Sequence, residues 1–262
     1  MSTTVLGLRR GWIEQLNQWS DRKDLFNAIA GSVFTYGLLT LWIGDKPVEG
    51  TTVTQGAFMT PGFIAYAIFS TGLMALPMLI AADREEGTLL RARTLPRGIR
   101  VYLVGRATMV LLTILVNIAL VLALAVPLAG LPVPATPARW FTLGWVVVLG
   151  TLAVVPVGAV IGSLLPGPKA GAMLALPAML LMVLSGVMLP LEMLPDLVRR
   201  IAEVFPLYWQ ALGLRAALLP DSILAAEVGH AWRLGQAAVV LSLWAVGGMV
   251  LAPWLLRRIR GR

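Results

Sequence analysis

Long apolar runs, cut apart by short clusters of charge and turn formers, leave this chain few folds to adopt. Residues 61–82 carry no Asp, Glu, Lys, Arg or His, and the runs 25–44, 101–126, 140–165, 171–189 and 234–256 carry none near their middles. Each is close to the ~20 residues that a helix needs to cross the core of a bilayer. In hydrocarbon every backbone N–H and C=O must be satisfied internally, so runs of this length predict helices. Composition agrees: the chain is 58% hydrophobic and 13% charged, with a mean hydropathy of +0.83, against about 45–50% and about 25% in a soluble domain. The expectation is an all-α polytopic membrane protein with six transmembrane helices and a single transmembrane domain over residues 1–262.

The flanking segments add three features. Residues 5–22 read as an amphipathic interfacial helix, because Trp12, Leu16 and Trp19 recur at helical spacing while Arg9, Arg10, Glu14 and Asp21 fall elsewhere; a disordered tail is the alternative. Residues 190–232 mix charges with Leu194, Leu197, Ile201, Phe205 and Leu212, and fit two short amphipathic helices that meet near Pro206. In that hairpin Tyr208 and Trp209 belong at headgroup depth. The third feature is the densest run of charge in the chain, residues 83–98. Asp83, Glu85 and Glu86 lead it and Arg91, Arg93 and Arg97 follow, the order that suits a short helix and its dipole. Gly87 lets the backbone turn sharply, and Pro96 with Gly98 stops the helix. A short polar helix after the second span is a handle that a soluble protein could grip.

Charge sets the orientation. The N-terminal segment, the six arginines from Arg84 to Arg106, Lys169, and Arg257, Arg258, Arg260 and Arg262 place fifteen of the 21 basic residues on one side. Basic residues gather on the cytoplasmic side, so both termini and residues 83–98 are expected there, and residues 190–232 outside. The net charge of +8 therefore needs no nucleic-acid partner. The N-terminal segment lacks the apolar core and cleavage site of a signal peptide, which leaves the first span as the uncleaved targeting signal.

Several chemistries have no parts here. The chain has no cysteine, which removes disulfides, thiolate metal sites and cysteine nucleophiles. No charged group at mid-span offers a proton relay. His230 is the single histidine and reads as a solvated loop residue, since a metal needs converging ligands. No phosphate-binding loop or zinc-protease motif occurs, so no cofactor is expected in this chain and it is not expected to be an enzyme. What the spans do offer is aromatic and Met-rich surface: Phe34 in the first, Phe63, Tyr66, Phe69 and Met74 in the second, and Met179, Met182 and Ser185 in the fifth. Such faces suit adaptable recognition of bulky amphipathic ligands, with ordinary packing or lipid contact as the alternative for each residue.

The charged run carries a family resemblance. Arg84-Glu85-Glu86-Gly87-Thr88-Leu89, with Arg91 and Thr94-Leu95-Pro96 after it, resembles the cytoplasmic Glu-x-Gly-Thr signature of ABC-2 type transporter permeases. Ser185-Gly186-Val187-Met188-Leu189-Pro190, then Leu194-Pro195, Phe205-Pro206-Leu207 and Leu214-Arg215, is similar to that family's segment after the fifth span, and Pro61-Gly62 fits the start of its second. Among that family's subfamilies the chain looks most like single-permease drug or antibiotic exporters of the daunorubicin-resistance and nodulation-factor export type, with a type V exporter-like fold.

The resemblance implies a permease subunit in a bacterial cell membrane, paired with a second permease copy, an identical one ahead of a paralogue. A separate ATPase subunit would bind ATP and Mg. Residues 83–98 would be the coupling helix, with Arg84, Glu85, Glu86, Gly87, Thr88 and Arg91 meeting that ATPase. The aromatic and Met residues named above would line the substrate pathway. Pro190, Phe205, Pro206, Tyr208 and Trp209 would form an external gate. The expected cargo is a lipophilic drug, antibiotic or lipid-like molecule; a polysaccharide or glycolipid is the alternative, and a non-transporting membrane scaffold is the reading from another class.

Overall fold

The computed structural model describes residues 2–21, 26, 33–48, 53–165, 167–185 and 195–258. Among these the chain is helical, and its one β-type pairing is an isolated bridge between Pro47 and Thr54. Ten α-helices follow in order: α1 (Thr3–Ser20), α2 (Thr35–Ile43), α3 (Gln55–Glu85), α4 (Thr88–Thr94), α5 (Gly98–Ala129), α6 (Pro137–Leu164), α7 (Ala172–Leu184), α8 (Asp196–Val204), α9 (Pro206–Leu218) and α10 (Leu234–Arg258). Four of them, α3, α5, α6 and α10, are long and apolar enough to cross a membrane. They overlap the apolar runs 61–82, 101–126, 140–165 and 234–256. Of the runs 25–44 and 171–189, the described parts form α2 and α7.

The core is built where α3, α5, α6 and α9 meet, around Ile64, Ile68, Ile114, Val146, Leu207 and Leu214. Helix α10 packs along α6, and α1 packs along α5. Tyr36 fastens α2 to α3: its hydroxyl lies 2.8 Å from Thr60 Oγ1, and its ring meets Phe63 edge-on at 5.3 Å.

Helix α3 is not uniform. At Thr71–Ala75 it widens into one π-helical turn. Pro77 has no N–H to give the carbonyl four residues back, and such a gap is a recognised cause of local rewinding. Helix α6 crosses at this point, and two glycines permit it. A Cβ on Gly158 would lie 1.8 Å from the Gly72 carbonyl oxygen, and one on Gly162 would lie 2.7 Å from Pro77 Cα.

Helix α1 differs from a segment that merely rests on a membrane. Gly7, Gly11 and Gln15 form a buried stripe at four-residue spacing against α5. A Cβ on Gly7 would meet Val104 at 2.6 Å, and one on Gly11 would meet the Gly105 carbonyl oxygen at 2.5 Å. Small residues of this kind let two helix backbones approach closely. Gln15 completes the seam beside Thr113 Oγ1, 2.9 Å away. The opposite face leaves Val5, Leu8, Trp12 and Leu16 exposed.

The second half of the hairpin expected over residues 190–232 is packed inside the bundle. Every residue of α9 is buried, because the helix is enclosed by α3, α6 and α10. Tyr208 and Trp209 are 0% and 4% exposed, so protein surrounds them. Small residues make this possible: Val146 of α6 lies where a Cβ on Gly213 would be, 2.6 Å away. The one cation of α9, Arg215, is paired with Glu227, and both side chains are 4% exposed.

Candidate functional site

Helix α3 continues past the end of its apolar run, through Asp83, Arg84 and Glu85, with Glu86 as its C-cap. Gly87 then adopts φ +74°, a left-handed conformation that a residue with a Cβ resists. The chain is thereby turned into the seven residues of α4. Leu95 leaves the helix in an extended conformation before Pro96, and Gly98 opens α5 with its α-carbon close against α4. A Cβ there would lie 2.0 Å from the Ala92 carbonyl oxygen. Gly98 is therefore the closest point of the α4–α5 corner rather than the stop of the short helix.

The expected order of charge does not form. Asp83 and Glu85 lie in the last turn of α3, the end at which the helix dipole disfavours acids, and the first turn of α4 holds none. The reason lies in their partners. Asp83 Oδ1 is 2.6 Å from Arg106 Nη2 of α5. Its Oδ2 accepts from Arg106 Nε at 2.8 Å and from the Tyr102 hydroxyl at 2.6 Å. Arg106 also reaches Glu14 of α1 at 3.3 Å, and Glu14 accepts from Arg10 Nε at 2.8 Å. The Arg10 and Arg106 guanidinium carbons lie 5.2 and 5.9 Å from the centre of the Tyr102 ring, within cation–π range. This cluster ties α1, α3 and α5 together around the buried carboxylate of Asp83.

Arg84 is used on a different side. Its Nη1 donates to the Ser163 carbonyl at 3.1 Å, and its Nη2 donates to the Leu165 carbonyl. These are carbonyls at the C-terminus of α6, where a helix leaves its last acceptors without partners and a cation complements the dipole. Next to it, Glu85 lies against the turn that leads to α7: a Cβ on Gly167 would sit 2.3 Å from Glu85 Oε1. Two consecutive residues thus bind the base of α3 to α1 and α5 through Asp83, and to the α6–α7 connection through Arg84.

Among the described side chains, the outward surface beyond these ties includes Glu85, Glu86, Leu90, Arg91, Thr94 and Leu95. Leu90 and Leu95 are 61% and 63% exposed, while Ala92 on the inner side of α4 is buried. Of the residues singled out in the sequence, Glu85, Glu86 and Arg91 are on this surface, Gly87 makes the turn, and Thr88 is half-buried. Arg84 is half-buried and engaged with α6. Sequence reasoning misses Leu90 and meets Leu95 only within the resemblance motif, although apolar residues set among arginines in so short a polar helix are a readable sign of a docking knob. Behind the handle, a crevice of about 930 Å³ separates α1 from α3, with Arg10, Glu14 and Gln18 on one wall and Met78, Leu79 and Thr88 on the other.

The candidate pathway residues do not form one lining within the chain. Phe63 and Phe69 are 3% exposed and belong to the core; Tyr66 and Met74 are half-buried. Phe34, the N-cap of α2, and Met179 on α7 face outward, 62% and 67% exposed. Ser185 is fully buried, and its hydroxyl has no hydrogen-bond partner among the described residues. The side chain of Met182 lies outside the described residues, as does Pro190. At the far end of the bundle, Phe205 stacks on Trp244 with ring centres 6.2 Å apart, and Pro206 opens α9. Arg233 donates to Glu203 at 2.8 Å and to the Tyr208 hydroxyl. Its guanidinium carbon lies 5.6 and 4.9 Å from the Tyr208 and Trp209 ring centres. No group of His, Cys, Asp and Glu among the described residues could hold a metal ion.

Compared with known protein families, residues 8–219 match the ABC-2 type transporter. Compared with curated proteins, the chain has no match.

Proposed function

The chain belongs to the ABC-2 type transporter family, and from that premise we propose that this integral membrane protein is the permease subunit of an ATP-driven exporter. Permeases of this family are transporter components that work with an ATP-binding subunit and are not themselves catalytic. The observation that carries the proposal is the outward face of α4. Leu90 and Leu95 stand clear of the bundle beside Arg91 and Thr94, on a turn fixed by Gly87, while Asp83 and Arg84 anchor the base beneath them. A rigidly based apolar knob with a charged border is the form of surface that concentrates binding energy in a few residues.

In this reading the end of the bundle that holds α4 is cytosolic, in keeping with its share of the basic residues, and the cell membrane is bacterial. The ATPase grips α4, with Glu85, Glu86, Leu90 and Arg91 at the contact, and binds ATP and Mg itself. Six spans include α2 and α7. Their outward faces, Phe34, Leu38 and Trp42 on one and Met173, Leu176 and Met179 on the other, meet a second copy of the chain. That seam forms the pathway, and α8 with α9 closes its outer end. Spans without a mid-membrane charge favour a lipophilic drug, antibiotic or lipid-like cargo, in the manner of the daunorubicin-resistance and nodulation-factor exporters.

The test is co-purification of the permease with its ATPase, for the unaltered chain and for Leu90→Glu and Glu86→Arg. The expected result is a complex with the unaltered chain and its loss with both variants. If the unaltered chain retains no ATPase, the exporter reading fails and the scaffold reading replaces it.

A further inference from the structure

A rigid handle explains how an ATPase could hold this protein, but motion at α4 must also reach helices that α4 does not touch. The base of α3 offers two separate connections. Asp83 leads to Arg106, Glu14 and Arg10, hence to α5 and α1. Arg84 leads to the carbonyls of Ser163 and Leu165, hence to the last turn of α6 and the short connection into α7. Glu85 touches that connection at Gly167, and Gly171, where α7 begins, is equally close: a Cβ there would meet Met78 Cγ of α3 at 2.4 Å. Resting on the proposed function, we infer that Arg84 is a positioning residue that carries movement of α4 into α7, along a route separate from the Asp83 route into α1 and α5.

The chemistry suits this role. The planar guanidinium spans two carbonyls at once and holds them in a fixed direction, which an ammonium cannot do. A helix C-terminus held through its own orphan carbonyls is gripped by its backbone, so it cannot escape by changing a rotamer. Helix α7 is the freer of the two partners. It carries exposed Met173, Leu176 and Met179, and among the described residues it packs mainly on α3, α8 and the turn that precedes it. A pull on its first turn therefore meets little resistance from the core.

The natural chain has no cysteine, so single reporters can be placed cleanly. Met173→Cys, in the first turn of α7 and on its face toward the second copy, reports on α7, and Ile13→Cys reports on α1; both positions are exposed in the single chain. The complex with its ATPase is placed in vesicles of phosphatidylethanolamine and phosphatidylglycerol. Labelling by a water-soluble maleimide is then timed before and after addition of MgATP with vanadate. In the otherwise unaltered complex both reporters are expected to change rate at least threefold. Arg84→Ala is expected to abolish the change at Met173→Cys and keep it at Ile13→Cys, while Asp83→Ala does the reverse. Should the alanine variant not assemble, Arg84→Lys is read in the same way, since it keeps the charge at the end of α6 and loses the two-pronged grip.

A residue that only supports the fold would weaken both responses together. That result overturns the inference, as does a Met173→Cys response that survives without Arg84. Absence of an ATPase from the unaltered complex would instead be a failure of the transporter reading.

Discussion

Asp83 and Arg106 stand 23 positions apart in sequence and meet at 2.6 Å, in a pair whose side chains are 8% and 13% exposed. Removing one partner from a buried pair leaves a charge without compensation and typically costs about 3–5 kcal/mol. Here Glu14 remains near Arg106, so Asp83→Ala is expected at the lower end, about 3 kcal/mol. A double-mutant cycle with Arg106→Ala, followed by unfolding in mixed micelles, measures the pair. A coupling below about 0.5 kcal/mol would show that the two groups act independently.

The α1–α5 seam allows a sharper test, because a side chain added at a glycine that packs against another helix's backbone cannot be absorbed by repacking. Gly11→Val places carbon where the Gly105 carbonyl oxygen and the Thr108 side chain already lie, at 2.5 and 2.6 Å. Helix α1 should lift from α5 and break the contact between Gln15 and Thr113. Overpacking of this kind costs about 1–3 kcal/mol. Because α1 carries Arg9 and Arg10, trypsin should nick the variant there at least tenfold faster than the unaltered chain. An unchanged cleavage rate means that α1 is not held by this seam.

These two contacts mark the limit of what the sequence discloses. Hydropathy locates α3, α5, α6 and α10, because burial in lipid needs only a run of apolar residues and no knowledge of neighbours. Gly87 and Pro96 are also legible, since φ > 0 and a missing N–H are local properties. The end of α3 was not legible. A change from apolar to charged residues looks like a helix end, yet the helix runs on to Glu85 because Arg106 and Tyr102, in another helix, neutralise and hydrogen-bond Asp83. The Gly7–Gly11 stripe is hidden for the same reason: its purpose appears only beside Val104 and Gly105. Arg84 looks like one more base in a polar loop until the end of α6 is seen in its grip.

At the far end, Arg215 and Glu227 form a pair that is buried more completely, with both side chains 4% exposed. This is how α9 can be enclosed although it carries a cation. Arg215→Ala should destabilise the protein by about 4 kcal/mol, since Glu227 is left charged inside the bundle. Replacing both, as Arg215→Met with Glu227→Leu, should restore at least half of that loss, because well-packed apolar residues can substitute for a buried pair. Unfolding measured in the same micelles checks the comparison; a double variant no more stable than the single one argues against desolvated charge as the cause.

Gln210 should respond in the opposite direction. Its side chain is fully buried in α9, and among the described residues neither the amide oxygen nor the amide nitrogen has a hydrogen-bond partner. Gly150 of α6 makes room for it, since a Cβ there would be 2.2 Å from the Gln210 nitrogen. An unpaired buried polar group costs about 1–3 kcal/mol, and Leu has nearly the same volume without that cost. Gln210→Leu is therefore expected to stabilise the protein by about 1 kcal/mol. If α9 closes the outer end of a transport path, opening it would return the amide to water and recover the same free energy. The substitution should then slow cargo release several-fold while raising the unfolding midpoint. A variant that is more stable and transports at the unaltered rate would separate α9 from the opening step, leaving Gln210 as a cost of packing alone.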